Sequence, residues 1–159
     1  MKIINIGLPR TGTYSLSIAL KKLGLSCVHY PEKIDDIDEF DSACEVVFSY
    51  EEIEKRFPNS LYIYTKRDFK SWHISCKKHK LNYKEDWNSF WTKDWKKEYF
   101  AKENSLDFFS DKRERILMHN VFEGDGWKNI CDFLNKKVPS IPYPHLNASR
   151  SYRKSISLI

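Results

Sequence analysis

Short runs rich in β-branched and aromatic residues alternate with helix-forming stretches along most of this chain. A strand, a helix and a second strand in succession pack best as a parallel pair with a crossover, so the alternation predicts an α/β fold. We expect a three-layer sandwich with a mainly parallel central sheet, formed by residues 1–159 as a single domain. The strands are predicted over residues 2–6, 26–29, 43–48, 61–65 and 115–119. The helices are predicted over residues 15–23, 50–57, 69–78, 84–100 and 126–134.

The composition excludes several classes of protein. Apolar residues make up 41% and aromatic residues 15% of the chain, which is too much for a disordered protein. The four cysteines are scattered without a C-x-x-C pair, so no metal site is predicted. No apolar run approaches the length of a membrane span, and the first residues do not look like a signal peptide. We therefore expect a cytoplasmic protein, whose net charge of +5 suits an anionic ligand without requiring one.

The segment after the first predicted strand is rich in groups that bind anions. Ligands of parallel sheets bind where strands end, and this segment runs from Gly7 to Ser15 at such an end. Glycines let the loop backbone curl around an anion, the next helix adds its N-terminal N–H groups, and Arg10 adds a charge. This predicts a P-loop type of nucleotide-binding fold, although Thr13 occupies the lysine position of a Walker A motif. The alternative is a plain strand–helix turn with a Ser or Thr N-cap.

Three motifs resemble those of the sulfotransferase family, which transfers a sulfuryl group from 3′-phosphoadenosine 5′-phosphosulfate (PAPS). The run 9–13, Pro-Arg-Thr-Gly-Thr, is similar to the family's 5′-phosphosulfate loop. Arg67 and Ser75, eight residues apart, have the spacing of the family's 3′-phosphate site. The segments 126–134 and 142–147 look like its closing motifs. The three motifs occur in the family's order, so the resemblance touches the start, middle and end of the chain.

The resemblance implies roles for individual residues. Arg10 would neutralise charge on the leaving 5′-phosphate, and Arg67 with Ser75 would hold the 3′-phosphate. The family's C-terminal phosphate clamp is absent as such, and Arg150 and Arg153 are the candidates to replace it. The implied cofactor is PAPS, with 3′,5′-ADP (PAP) as its product, and no metal is required. The residues implied to bind the donor at the loop are Pro9, Arg10, Thr11, Gly12, Thr13, Tyr14 and Ser15.

A hydroxyl acceptor also needs a general base. The family places a histidine or carboxylate near the end of the strand that precedes the Arg67 strand. There, Glu45 is the first candidate for a catalytic base and Asp41 is the second. The alternative for Glu45 is an ordinary solvated carboxylate. The histidines, His29 among them, are weaker candidates, because a lone histidine is more often structural than catalytic.

The resemblance implies an enzyme that sulfates a hydroxyl or amine of a small-molecule or carbohydrate acceptor. Two alternatives remain open. One is a P-loop nucleotide kinase or NTPase, which Thr13 in the lysine position disfavours, and the other is a catalytically silent nucleotide-binding module. We expect neither nucleic acid nor a membrane as a partner. Members of the family often form a homodimer, but the sequence contains no motif that decides this.

Overall fold

The computed structural model of the protein describes residues 1–82 and 94–145. Its centre is a sheet of five strands: β1 (Ile3–Asn5), β2 (Cys27–His29), β3 (Ser42–Cys44), β4 (Leu61–Thr65) and β5 (Ile116–His119). The strands lie in the order β2-β3-β1-β4-β5, and each neighbouring pair is parallel.

Helices and short 3₁₀ turns connect these strands. The helices are α1 (Thr13–Lys22), α2 (Tyr50–Arg56), α3 (Phe69–Asn82), α4 (Trp95–Asn104) and α5 (Trp127–Leu134). Local sequence explains several helix ends. Ser49 and Glu52 form a capping box at the start of α2, and Asn135 ends α5 in a left-handed conformation. Each helix of the described ranges is too short or too polar to cross a membrane.

Alternate residues of the strands supply two cores, one on each face of the sheet. On one face, Ile4 of β1 packs with Ile53 of α2. On the other face, Ile3 packs with Leu16 of α1 and Ile130 of α5. Helices therefore cover both faces, and the predicted three-layer α/β fold with a parallel sheet is confirmed. A smaller cluster joins α3 and α4 to the loop after β1, through the buried side chains of Leu8, Trp72, Cys76 and Tyr99.

The direction in which the chain winds changes between β1 and β4. After β1 the chain crosses to β2 at one edge of the sheet, and after β4 it crosses to β5 at the opposite edge. Open parallel sheets bind ligands at such a switch point, outside the carboxyl ends of the strands. The loop that follows β1 and the segment that follows β4 flank this point.

The ends of β1 and β4 are in very close contact. A Cβ atom on Gly7 would lie 1.9 Å from Thr65 Oγ1 and 2.8 Å from the Thr65 carbonyl oxygen, so only glycine fits there. The buried amide nitrogen of Asn5 donates to the Ile63 carbonyl at 2.9 Å and to Thr65 Oγ1 at 3.1 Å. Asn5 Oδ1 accepts from the Glu45 N–H at 3.1 Å. Asn5 therefore connects the carboxyl ends of β1, β3 and β4.

The third strand is shorter than predicted. It ends at Cys44 rather than at residue 48, because Glu45 adopts a left-handed conformation with φ of 60°. The N–H groups of Glu45 and Val46 turn to the side-chain and main-chain oxygens of Asn5 instead of extending the ladder to β2. Glu45 therefore follows the strand and lies at the carboxyl edge of the sheet.

The helix predicted over residues 84–100 is wrong as one continuous element. Helix α4 begins at Trp95, where the Asp94 side chain accepts from the N–H groups of Lys96 and Lys97. Asp94 itself has an extended backbone, which is the usual conformation of an N-cap. The part of this prediction that includes Trp87 and Trp91 lies outside the described residues.

Candidate active site

The loop from Gly7 to Gly12 closes on itself through its own polar groups. Thr11 Oγ1 donates to the Leu8 carbonyl at 2.6 Å and lies 2.8 Å from Thr65 Oγ1. Because the single Thr11 hydroxyl proton is used in the bond to Leu8, Thr65 is the donor in the bond between the two hydroxyl groups. The Thr11 hydroxyl therefore holds the loop to β4, and its proton is used in a hydrogen bond within the loop.

Two residues of this loop have left-handed backbones. Gly12 has φ of 99° and Arg10 has φ of 71°. This conformation is rare for a residue with a side chain, and such strain is concentrated at functional sites. Gly12 immediately precedes α1, so the first-turn N–H groups of the helix face the region enclosed by the loop.

Two arginines meet beside the loop. Arg67 Nη1 donates to the Arg10 carbonyl at 3.2 Å, and Arg67 Nε donates to Ser71 Oγ at 3.0 Å. The Arg67 guanidinium also lies 4.1 Å from the centre of the Phe122 ring, which is a cation–π contact. Burial lowers the pKa of Arg67, and the nearby charge of Arg10 lowers it further. Two like charges in partly buried surroundings favour an anion between them.

Ser75 contacts the other arginine. Its hydroxyl accepts from Arg10 Nε at 3.3 Å, while Ser71, one helical turn earlier, bonds to Arg67. Arg67 and Ser75, predicted to bind one phosphate group together, therefore belong to the same cluster, in which Ser75 contacts Arg10 and Ser71 contacts Arg67.

Buried aromatic residues fix the two segments that carry the arginines. Trp72 Nε1 donates to the Pro9 carbonyl at 2.8 Å, and the Tyr99 hydroxyl donates to the Arg67 carbonyl at 2.8 Å. The two rings contact each other with centroids 5.2 Å apart. Pro9 thus contributes to the loop through its carbonyl group, and α3 and α4 fix the positions of the loop and of Arg67 through these two hydrogen bonds.

Glu45 lies across the loop from this aromatic support. Its Oε2 accepts from Thr13 Oγ1 at 2.5 Å, and its side chain is only 15% exposed. Burial raises the pKa of Glu45, while the Thr13 hydrogen bond and the charge of Arg10 oppose the rise. Glu45 is therefore not an ordinary solvated carboxylate. A desolvated carboxylate near a binding loop is a candidate acid or base.

The structure removes Asp41 from the site, and its prediction as a base is wrong. Asp41 precedes β3 and so lies at the amino end of the strand, at the opposite edge of the sheet from Glu45. Its exposed carboxylate accepts from the N–H and the hydroxyl of Ser26, each at 2.8 Å. These bonds lower the pKa of Asp41, as expected for a structural carboxylate.

His29, a weaker candidate from the sequence, and Asn5, which had no predicted role, also lie at the carboxyl edge of the sheet. His29 ends β2, and its Nε2 lies 3.3 Å from Thr13 Oγ1 and 3.5 Å from Glu45 Oε2. The second distance would suit an ion pair, but burial lowers the pKa of His29 to about 4, so its imidazole is neutral at pH 7. The only signal for either residue was a polar side chain at the end of a short strand.

The other predicted residues have these positions. Tyr14 contacts the His29 ring edge-on at 5.5 Å, and the buried Ser15 belongs to the first turn of α1. Arg150 and Arg153 lie outside the described residues. Within residues 1–82 and 94–145, no group of three or more His, Cys, Asp or Glu side chains could hold a metal ion. His119 bonds to Asn129 and Tyr143, so it joins β5 to α5 and the following segment.

These features define an α/β fold with a parallel sheet and a cationic site at its switch point. The model of the sulfotransferase domain family matches the chain over residues 2–49, 37–111 and 107–152. Together these ranges cover nearly the whole chain, which therefore belongs to the sulfotransferase family, as the motifs predicted. No curated protein matches the chain. The loop and Glu45 lie in the first matched range, and both Arg67 and Ser75 lie in the second.

Proposed function

We propose that the protein transfers a sulfuryl group from PAPS to a hydroxyl or amine of a small-molecule or carbohydrate acceptor. The observation that carries the proposal is the position of two arginines at the glycine loop: Arg10 belongs to the loop, and Arg67 Nη1 donates to the Arg10 main-chain carbonyl at 3.2 Å. PAPS has phosphate groups at two positions of one nucleotide, so it needs cations in two places. A nucleotide without a 3′-phosphate would leave one of these two cations without its anion.

In this proposal the loop and Arg10 bind the 5′-phosphosulfate. The N–H groups at the start of α1 and the Arg10 guanidinium would stabilise the charge that grows on the leaving phosphate. Arg67 would bind the 3′-phosphate with its planar pair of donors, and the Phe122 ring would keep the guanidinium in that orientation. Ser71 and Ser75 would supply hydroxyl donors from the adjacent face of α3.

The chemical step needs little covalent participation by the protein. The acceptor oxygen forms a bond to sulfur while the bond from sulfur to the 5′-phosphate oxygen breaks in line with it. The electron pair of the broken bond leaves with PAP, and the acceptor proton passes to Glu45. Burial raises the pKa of Glu45, which brings this carboxylate closer to the pKa of an effective base at neutral pH.

The test is transfer of a radiolabelled sulfuryl group from PAPS to a panel of phenols, alcohols, amines and sugars. We expect a labelled acceptor and one equivalent of PAP. Arg10→Ala should lower turnover by more than tenfold, because a charge-assisted hydrogen bond of ~1.5–3 kcal/mol is lost and the transition state depends on it more than the ground state.

Arg113→Ala is the matched control, since Arg113 is an exposed arginine in a 3₁₀ turn at the amino end of β5. It should leave transfer unchanged. Equal transfer by Arg10→Ala and Arg113→Ala would remove Arg10 from the proposed mechanism. Consumption of ATP but not of PAPS by the unmodified protein would contradict the proposed donor.

A further inference from the structure

Three polar side chains from three different elements form a chain of hydrogen bonds beside the loop. They are His29 at the end of β2, Thr13 at the start of α1 and Glu45 after β3, here called the His29–Thr13–Glu45 chain. Thr13 is 3% exposed, and the side chains of His29 and Glu45 are 27% and 15% exposed. These residues come together because β2 and β3 are neighbouring strands and α1 begins beside their carboxyl ends.

The protons of this chain can be assigned from geometry. The Thr13 hydroxyl has one proton, and the 2.5 Å distance to Glu45 Oε2 places it in that bond. Thr13 Oγ1 therefore presents lone pairs to His29 Nε2, which lies 3.3 Å away. A bare Nε2 would then face only acceptors, namely Thr13 Oγ1 and, at 3.5 Å, Glu45 Oε2. The neutral imidazole consequently carries its proton on Nε2 and donates to Thr13.

We propose that His29 is a positioning residue of the transfer reaction: its Nε2–H holds the Glu45 carboxylate in its charged form when the Thr13 hydroxyl turns to the sulfuryl donor. This inference rests on the proposed function, in which Thr13 belongs to the loop that binds the 5′-phosphosulfate. The Thr13 hydroxyl has one proton, and both the donor anion and Glu45 can accept a hydrogen bond from it. If Thr13 donates to the anion, Glu45 loses its shortest hydrogen bond when it must act as a base.

His29 is placed to compensate for that loss. Its Nε2 lies 3.5 Å from Glu45 Oε2, so a small rotation converts a bond to Thr13 into a bond to the carboxylate. The edge-on contact with Tyr14 supports the imidazole from the α1 side. A hydrogen bond to the charged form of a carboxylate favours that form, so His29 would keep Glu45 ready to accept the acceptor proton.

Other charged and titratable groups also lie near Glu45 and His29. Arg10, from the loop, favours the charged carboxylate, and Lys21 of α1 acts on His29 and Cys44. Burial raises the pKa of the Cys44 thiol on β3 and raises that of Cys76 on α3 to about 12, so both thiols are neutral. Thr13 donates to Glu45 Oε2 at 2.5 Å, and His29 Nε2 lies 3.5 Å from the same oxygen.

The first test needs no variant. Nitrogen-15 NMR of the imidazoles should show His29 protonated on Nε2 and bare on Nδ1 at pH 7. The opposite tautomer, with a bare Nε2, would overturn the proposal, because such a ring cannot donate to Glu45. This measurement uses the free protein, so its result does not depend on whether PAPS is the donor.

The second test is a carbon-13 NMR titration of the Glu45 carboxyl group with PAP present. The Glu45 signal is identified by its loss in Glu45→Gln. His29→Ala should move the titration of Glu45 to higher pH, and His29→Gln, which keeps a donor at the position of Nε2, should restore it. His73→Gln is the control, since His73 stacks on Phe69 of α3. An unchanged titration in His29→Ala would overturn the proposal.

The same proteins give a kinetic measurement. On the acidic side of the pH profile, His29→Ala should turn over about tenfold more slowly than the unmodified protein, with PAP affinity within about threefold. A loss of PAP affinity without any movement of the profile would assign His29 a structural role and contradict the inference. Failure of the unmodified protein to bind PAP would instead contradict the proposed function, while the tautomer would still decide the hydrogen-bond chain.

Discussion

Replacement of Gly7 by alanine should lower the stability of the fold more than replacement of any other glycine in the described part of the chain by alanine. The new Cβ atom would lie 1.9 Å from Thr65 Oγ1, 2.8 Å from the Thr65 carbonyl and 2.9 Å from Thr11 Oγ1. Rotation of the Thr65 side chain could relieve the first contact. The second involves backbone, so β4 or the loop must move.

The size of the effect follows from these contacts. Overpacking of this kind costs about 1–3 kcal/mol. Movement of Thr65 would also break its hydrogen bonds with Thr11 and Asn5, each worth about 1 kcal/mol. We therefore expect Gly7→Ala to lower the free energy of unfolding by about 3–5 kcal/mol. That is a large part of the total stability of a domain, which is about 5–15 kcal/mol.

Urea unfolding followed by tryptophan fluorescence measures this difference. Gly24→Ala is the matched control, because Gly24 has φ of 80° and no atom lies within 4 Å of the position of its Cβ. That variant should lose only the ~1–2 kcal/mol of a left-handed alanine. Equal losses of stability in Gly7→Ala and Gly24→Ala would refute the reasoning, since the close approach of β1 and β4 would then carry no energetic weight.

The remaining predictions concern Glu45. Glu45→Gln should reduce turnover by roughly 10²–10⁴-fold while PAP affinity stays within a few-fold, and Asp41→Asn should change neither; full activity of Glu45→Gln in the transfer assay would exclude it as the base. Burial raises the pKa of Glu45, so the folded protein binds this proton more readily than the unfolded chain. The contribution of Glu45 to stability is therefore greatest below the ordinary carboxyl pKa and falls as the pH rises through the raised value. Glu45→Gln should accordingly be more stable than the unmodified protein at pH 7 in urea unfolding, and a loss of stability there would contradict a destabilising effect of the buried charge.

The sequence predicted the fold and the position of the loop for physical reasons that the structure bears out. The loop needs glycine where β1 approaches Thr65 and where Gly12 adopts a left-handed backbone, and Gly7 and Gly12 are the two glycines of the segment from Gly7 to Ser15. The alternation of strands and helices was sufficient to predict a parallel sheet. A helix between two strands returns the chain to the starting edge of the sheet, so the second strand runs parallel to the first. Strand order, by contrast, has no signal in periodicity.

The parts of the site that local sequence did not determine depend on tertiary contacts. Asp41 and Glu45 are four residues apart, and the position at which β3 ends decided which carboxylate reaches the carboxyl edge. That end depends on a hydrogen bond from Glu45 to Asn5 on another strand. His29 reaches Thr13 and Glu45 because β2 and β3 are neighbours, and the contact of Ser75 with Arg10 depends on the packing of α3 against the loop.

Calorimetric binding of PAP and of 5′-ADP to the unmodified protein tests the central claim most directly, because each nucleotide has two phosphate groups and only PAP has one of them on the 3′ oxygen. One buried charged contact of ~2–3 kcal/mol corresponds to a preference for PAP of roughly 30- to 150-fold. Arg67→Ala should abolish most of that preference while 5′-ADP affinity is unchanged, and Arg113→Ala should leave both affinities as they are. Equal affinities of the unmodified protein for PAP and 5′-ADP would contradict the assignment of PAPS as the donor.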